Sequence, residues 1–397
     1  MTLESVPNFL WCYENYGAAV LGIDPDQLGD LLNLAGFISK MSHRLLSASI
    51  DSKIKLWNIE DGIEIGTGHG HSGLILGASF NKDGTHIVSS SGSGDRSIKV
   101  WDAETCNELA SFNRCAGSIC PPSFSPCGKF VLSPCRRREL MIWDIATGNA
   151  VADMKGHGDR VTFASYSFDG SKVISCGDDR TCRVWDAATG RQLYFIRCAD
   201  FGVIKDAFLN ENGDKVVTMQ SCTFTLWELL AQPAVCQICE FQGHRERIRS
   251  VRWNFANTQL ISASDDCSAR VWDIVTGEQI LQLECVNENG VKAEIRCAQF
   301  IIGDRKILTY SLDCTARVWD AFNGAELIIF RNHAAHISFA EICEGYGGDI
   351  LAITGDRSGT IRVWQVDTGE EQTVLVGHTG TITQLSIHSS HVDYLLK

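Results

Sequence analysis

A chain of 397 residues, 44% apolar and 21% charged, has the composition of a globular protein with a sizeable core, which excludes wholesale disorder. Its 35 basic against 48 acidic residues leave a net charge of −13, which opposes binding to nucleic-acid backbones and anionic membrane surfaces, and no run of about 18 apolar residues marks a membrane span. Thirty-six glycines against seven prolines imply an ordered chain with many turns. The 17 cysteines follow an N-terminus without the basic and apolar stretches of an export signal, so reduced thiols in a cytoplasmic or nuclear compartment are expected.

Residues 1–40 read as a separate N-terminal segment. Asp24 suits a helix N-cap and Pro25 the first helical position, with Leu28, Leu31, Leu32 and Ala35 on one face, so a short helix is expected there.

From residue 41 to 397 the chain repeats itself. Eight of the ten tryptophans (Trp57, Trp101, Trp143, Trp185, Trp227, Trp272, Trp319 and Trp364) recur at intervals of 42 to 47 residues. Each follows a short β-branched run such as Ile98-Lys99-Val100 or Cys182-Arg183-Val184. Asp102, Asp144, Asp186, Asp273 and Asp320 come directly after the ring, and a turn such as Thr147-Gly148 or Thr276-Gly277 comes next. Upstream lies another β-rich run with its own turn, for example Phe168 to Ser175. Each unit therefore reads as four short strands separated by Gly, Asp, Asn and Ser turns, with no helical periodicity.

These units, with Gly156-His157, Gly243-His244 and Gly377-His378, resemble the WD-repeat family over about nine-tenths of the chain. The resemblance implies an all-β fold: a β-propeller, here of eight blades with four antiparallel strands each. A seven-bladed propeller with an extra or truncated repeat is the alternative. In the family a His, a Ser or Thr of the second strand, a turn Asp and the Trp form a hydrogen-bonded tetrad. The residues implied are Asp51, Trp57 and His378; His71, Asp95 and Trp101; His157, Asp179 and Trp185; His244, Asp266 and Trp272; and Asp313 with Trp319. His71 fits if Ser93-Gly94 lengthens its repeat. The third repeat has Arg137 at the Asp place and the fifth has Ser221. The seventh lacks the His, and the eighth has Asn332-His333 but Ser358 at the Asp place, so the tetrad is expected intact in some blades and lost in others.

The two ends bear on closure. After His378, Ile382, Leu385 and Ile387 stand at the offsets of Ile248, Val251 and Trp253 after His244, so Thr381–Ile387 reads as a first strand. It would complete blade one and close the ring. In the competing reading, Tyr394-Leu395-Leu396 starts a ninth repeat.

Ser, His and Asp invite a hydrolase reading, but sets that recur blade after blade beside a buried Trp read as structural. Cys236-Gln237-Ile238-Cys239 has no second pair at zinc-ligand spacing, and Gly66, Gly68 and Gly70 lack the context of a phosphate loop. No catalytic, cofactor-binding or metal residues are therefore assigned. Arg136-Arg137-Arg138 is the largest basic run. On the family's top face it stands near Arg114 and Arg160, a candidate site for an acidic or phosphorylated segment of a protein partner. The expected function is a non-catalytic interaction scaffold or adaptor binding other proteins, without nucleic acid, membrane or cofactor; the oligomeric state is left open. A substrate receptor of a cullin-type ubiquitin ligase is the runner-up, although none of Glu60, Glu104, Ala146, Ala188, Leu230, Val275, Phe322 and Asp367 is the Arg that group often carries. The propeller region of a signalling enzyme or ATPase-like regulator is a remote third.

Overall fold

A computed structural model describes residues 43–92, 95–112, 121–135, 138–198, 203–287, 289–301, 303–345 and 348–388. The expected helix over Asp24–Ala35 and the ninth-repeat strand at Tyr394 lie outside them. The described residues form eight four-stranded antiparallel sheets, seven with their strands in consecutive order and one that joins the first three strands to the last. Blade four is representative: Val161–Tyr166, Lys172–Gly177, Thr181–Asp186 and Gln192–Arg197. The second and third strands of each blade are almost wholly buried, as in VISCG and CRVWD of blade four. That follows from their near-continuous apolar and small residues, which suit strands covered on both faces. In all eight blades the pairing of third with fourth strand slips by one residue at the Trp, as between Val184 and Trp185. Such a bulge bends the outer strand and increases local twist.

The core lies between blades rather than within them. Ile174, Cys176, Cys182 and Val184 of blade four pack on Ala207, Val216 and Trp227 of blade five in one cluster. A four-stranded sheet cannot bury both its faces alone, so neighbours supply the cover. First strands of most neighbouring blades adjoin, Ile382–His388 with Ile75–Phe80 and Ile248–Trp253 with Ile295–Phe300 among them, as around the central channel of a propeller.

Closure runs through the chain ends. Ile382–His388 pairs with Arg44–Ser49, with Leu45 opposite Ile387 and Ser47 opposite Leu385, so blade one takes its first strand from the C-terminal side. Ile382 and Leu385 join Leu45, Trp57, Ile353 and Val363 in the cluster between blades eight and one. Closing the ring gives blade one its fourth strand and covers the edge of Arg44–Ser49.

Candidate functional site

Each blade positions its Trp by the same local chemistry. All eight indole N–H groups donate to a second-strand hydroxyl at 2.8–3.0 Å, from Ser47, Ser89, Ser133, Ser175, Thr218, Ser262, Thr309 and Thr354. In blade four His157 Nε2 lies 2.7 Å from Ser175 Oγ, and His157 Nδ1 lies 2.9 Å from Asp179 Oδ2. Since the indole can only donate to Ser175, the hydroxyl proton goes to Nε2, and Nδ1–H is left for the carboxylate. The same set joins His244 to Ser262 and Asp266, His378 to Ser47 and Asp51, and His71 to Ser89 and Asp95. The Gly before the His is sterically needed. A Cβ on Gly156, Gly243 or Gly377 would lie 3.1, 3.2 or 2.9 Å from the facing Trp ring.

Blade eight departs from the sequence expectation. Ser358 stands six residues before Trp364, but the carboxylate comes from Asp356, 2.9 Å from His333 Nδ1, with Thr354 on Nε2 at 2.7 Å. The turn has the same length as in blade four, Gly355 pairing with Ile361 as Cys176 does with Cys182, but here the acid stands at the end of the second strand, two residues earlier than Asp179 does in its turn, and still reaches the imidazole. Ser358 donates to Asp356 instead. In blades five and seven a buried thiol takes the place of the imidazole: Cys198 Sγ lies 3.5 Å from Thr218 Oγ1, and Cys285 Sγ lies 3.8 Å from Thr309 Oγ1. Asp313 binds the buried guanidinium of Arg317 at 2.9 Å. Burial alone would raise the Asp179 carboxyl, but donors from His157, the Gly158 amide and Thr181 outweigh it and hold the group well below the usual carboxylate range. These groups are locked, with the hydroxyl engaged by Trp and His and both ring nitrogens occupied.

The candidate partner-binding arginines are not all described. Arg114, Arg136 and Arg137 lie outside the described residues. Arg138 is exposed on the turn between second and third strands of blade three, at φ +85°. Arg160 is exposed in the loop leading into blade four, and its Nε lies 3.0 Å from Asp178.

The sequence reading missed a basic cluster at the mouth of the channel on the same face. Arg249 and Arg296 stand near the start of the first strands of blades six and seven, and Lys205 directly precedes that of blade five. Arg249 grips Asp265 through Nε and Nη2 at 2.7 and 2.5 Å, and Arg296 Nη1 reaches the same carboxylate at 3.3 Å. Arg247 is exposed in the loop beside them. Further along the channel, Arg252 lies within electrostatic reach of Asp206 and Glu341. Burial pushes Asp206 up to about 6 and Glu341 up to about 7, against the opposing pull of Arg252.

The family model "WD domain, G-beta repeat" matches residues 62–102, 148–186 and 235–273. The chain is 35% identical over 48 residues to the ribosome biogenesis protein ERB1 of Scheffersomyces stipitis and 36% identical over 64 residues to that of Coccidioides immitis. Those stretches cover 12% and 16% of this chain and only 6% and 8% of the relatives' own length. The crystal structure of the computationally designed Ika8 protein superposes with a TM-score of 0.67 at 24% identity, over 80% of this chain and 91% of that one, a likeness of fold alone.

Proposed function

The chain is a WD-repeat β-propeller of eight blades, and we propose that it acts as a non-catalytic scaffold or adaptor that binds other proteins within a multiprotein assembly. The carrying observation is the state of the recurrent Ser-His-Asp sets among the described residues. The tetrad histidines are buried and saturated with hydrogen bonds, so they act as struts of a rigid disc rather than as acid–base groups. The short similarity to a ribosome biogenesis protein fits membership of an assembly and a nuclear setting. The finer reading is that an acidic or phosphorylated segment docks on the top face. Of the five arginines proposed for blades three and four, exposed Arg138 favours this, whereas Arg160 already has Asp178 as counter-ion.

The test is capture by the tagged whole chain, in parallel with a variant whose ring is unfolded, alongside a screen for ester and peptide hydrolysis. A reproducible set of proteins that depends on the folded ring supports the scaffold reading. Turnover in the screen that vanishes in the His157→Ala variant overturns it.

A further inference from the structure

The basic mouth of the channel carries two cations that have no ion pair with a carboxylate among the described residues. Blades four and six are built alike at this place. The amide of Asp178 donates to the Arg160 carbonyl at 2.8 Å, and the amide of Asp265 donates to the Arg247 carbonyl at 2.9 Å. In blade four the aspartate then pairs with the arginine of that loop, Arg160. In blade six the equivalent aspartate is taken by Arg249 and Arg296. Arg247 is left without a carboxylate among the described residues, as is half-buried Lys205 of blade five. Four cations thus meet over Asp265, with Glu294 holding a second contact to Arg296 at 3.3 Å.

The electrostatics agree with a surplus. Burial first, and then Arg247 and Arg249, lower Lys205; burial first, and then Arg249 and Arg296, outweighing Asp265, lower Arg247. Like charges held together on a rigid frame are relieved by an anion that sits between them. Arg296 and Lys205 stand at the first-strand position of Arg249 in blades seven and five, whereas blades two, four, eight and one carry neutral Leu76, Thr162, Ser338 and Thr383 there. The concentration of cations is therefore local, within a chain of net charge −13.

We propose that the channel mouth formed by Lys205, Arg247, Arg249 and Arg296 is the docking site for a phosphorylated segment of a protein partner. Two uncompensated cations match one phosphate dianion, whose oxygens accept charge-assisted hydrogen bonds from Arg and Lys. Arg249 and Arg296, already oriented by Asp265, frame the pocket at small ordering cost. A nucleic acid would need a basic stripe along its backbone, and the net negative field of this chain opposes one. The assignment rests on the scaffold reading and narrows it to one ligand chemistry and one place.

The test uses the whole chain and an oriented library of phosphoserine and phosphothreonine peptides, its unphosphorylated counterpart and a 20-nucleotide single-stranded RNA as probes, all read by fluorescence anisotropy. The expected result is at least tenfold preference for phosphorylated peptides, weakening as salt is raised. The double variant Lys205→Ala/Arg247→Ala should lose that preference at least tenfold, while Arg160→Ala leaves it within twofold. Melting curves check that the double variant keeps its fold. The same affinity for phosphorylated and unphosphorylated peptides overturns the proposal. So does a preference that survives in the double variant, or RNA binding tighter than any peptide and lost in that variant. If the double variant instead captures the same proteins as the wild type, the site is refuted and the scaffold reading stands.

Discussion

Ring closure predicts a specific weakness at Leu385. Its side chain is 1% exposed and packs in the seam between blades eight and one, with Leu45, Trp57, Ile353 and Ile382 as cluster partners. The equivalent first-strand residue is alanine in several other blades (Ala78, Ala164, Ala298 and Ala340) and valine in blade six (Val251), so Leu385 puts a larger side chain at this position in the seam. Leu385→Ala removes the equivalent of three methylene groups and leaves a cavity that a closed ring cannot easily collapse. The expected loss is about 2–4 kcal/mol of global stability. Unlike an equally buried change inside one blade, it should also speed amide exchange selectively in Arg44–Ser49 and Ile382–His388, because their pairing joins the two ends of the chain. Urea denaturation gives the first quantity and hydrogen-exchange mass spectrometry the second. A companion truncation lacking residues 381–397 should aggregate or lose cooperative unfolding, since it bares the edge of Arg44–Ser49. If the truncated chain stayed monomeric with an unchanged melting curve, and Leu385→Ala moved neither readout, the strand would not be closing the ring.

The remaining expectations concern the tetrads, the channel and the thiols. Trp185→Ala and Trp272→Ala should each cost about 3–5 kcal/mol in urea denaturation, and a loss under 1 kcal/mol would contradict their place in the core. Asp179 is held below its unfolded value, so its stabilisation is complete above about pH 4 and is lost as pH falls below that; the acid limb should flatten in Asp179→Asn, and an unchanged limb would sink the assignment. Glu341 has the opposite sign. Its carboxyl is raised to about 7, so the folded state takes up a proton and stability declines as pH rises from about 4.5 to 7. Glu341→Gln should relieve at most about 3 kcal/mol, less whatever channel water screens, at pH 8 relative to pH 5; a profile parallel to the wild type would show that the group is not desolvated. A thiol count under denaturing, non-reducing conditions should find all 17 cysteines free, and stoichiometric zinc lost on replacing Cys236 and Cys239 would contradict that reading.

What the sequence determined by itself is whatever is repeated locally. The spacing of Trp57 to Trp364 defined eight units, and the apolar offsets after His378 matched those after His244 closely enough to place the closing strand within one residue at each end. Each of these signals is a pattern of neighbours along the chain, and a strand reads such a pattern directly. What the tertiary structure decided depends on reach. Fixed spacing pointed to Ser358, but a hydrogen bond follows distance, and Asp356, two residues earlier in a turn of the same length, meets His333. Cys198 and Cys285 look like ordinary small apolar residues in the sequence; only the packed blades show each thiol against the hydroxyl that elsewhere binds a histidine. Arg136-Arg137-Arg138 stood out because its charges are adjacent in the chain. Lys205, Arg247, Arg249 and Arg296 did not, because they are spread over three successive repeats until the ring turns its first strands inward and sets their ends side by side around one aspartate. Charge acts through space, and in a closed ring residues far apart in sequence become neighbours.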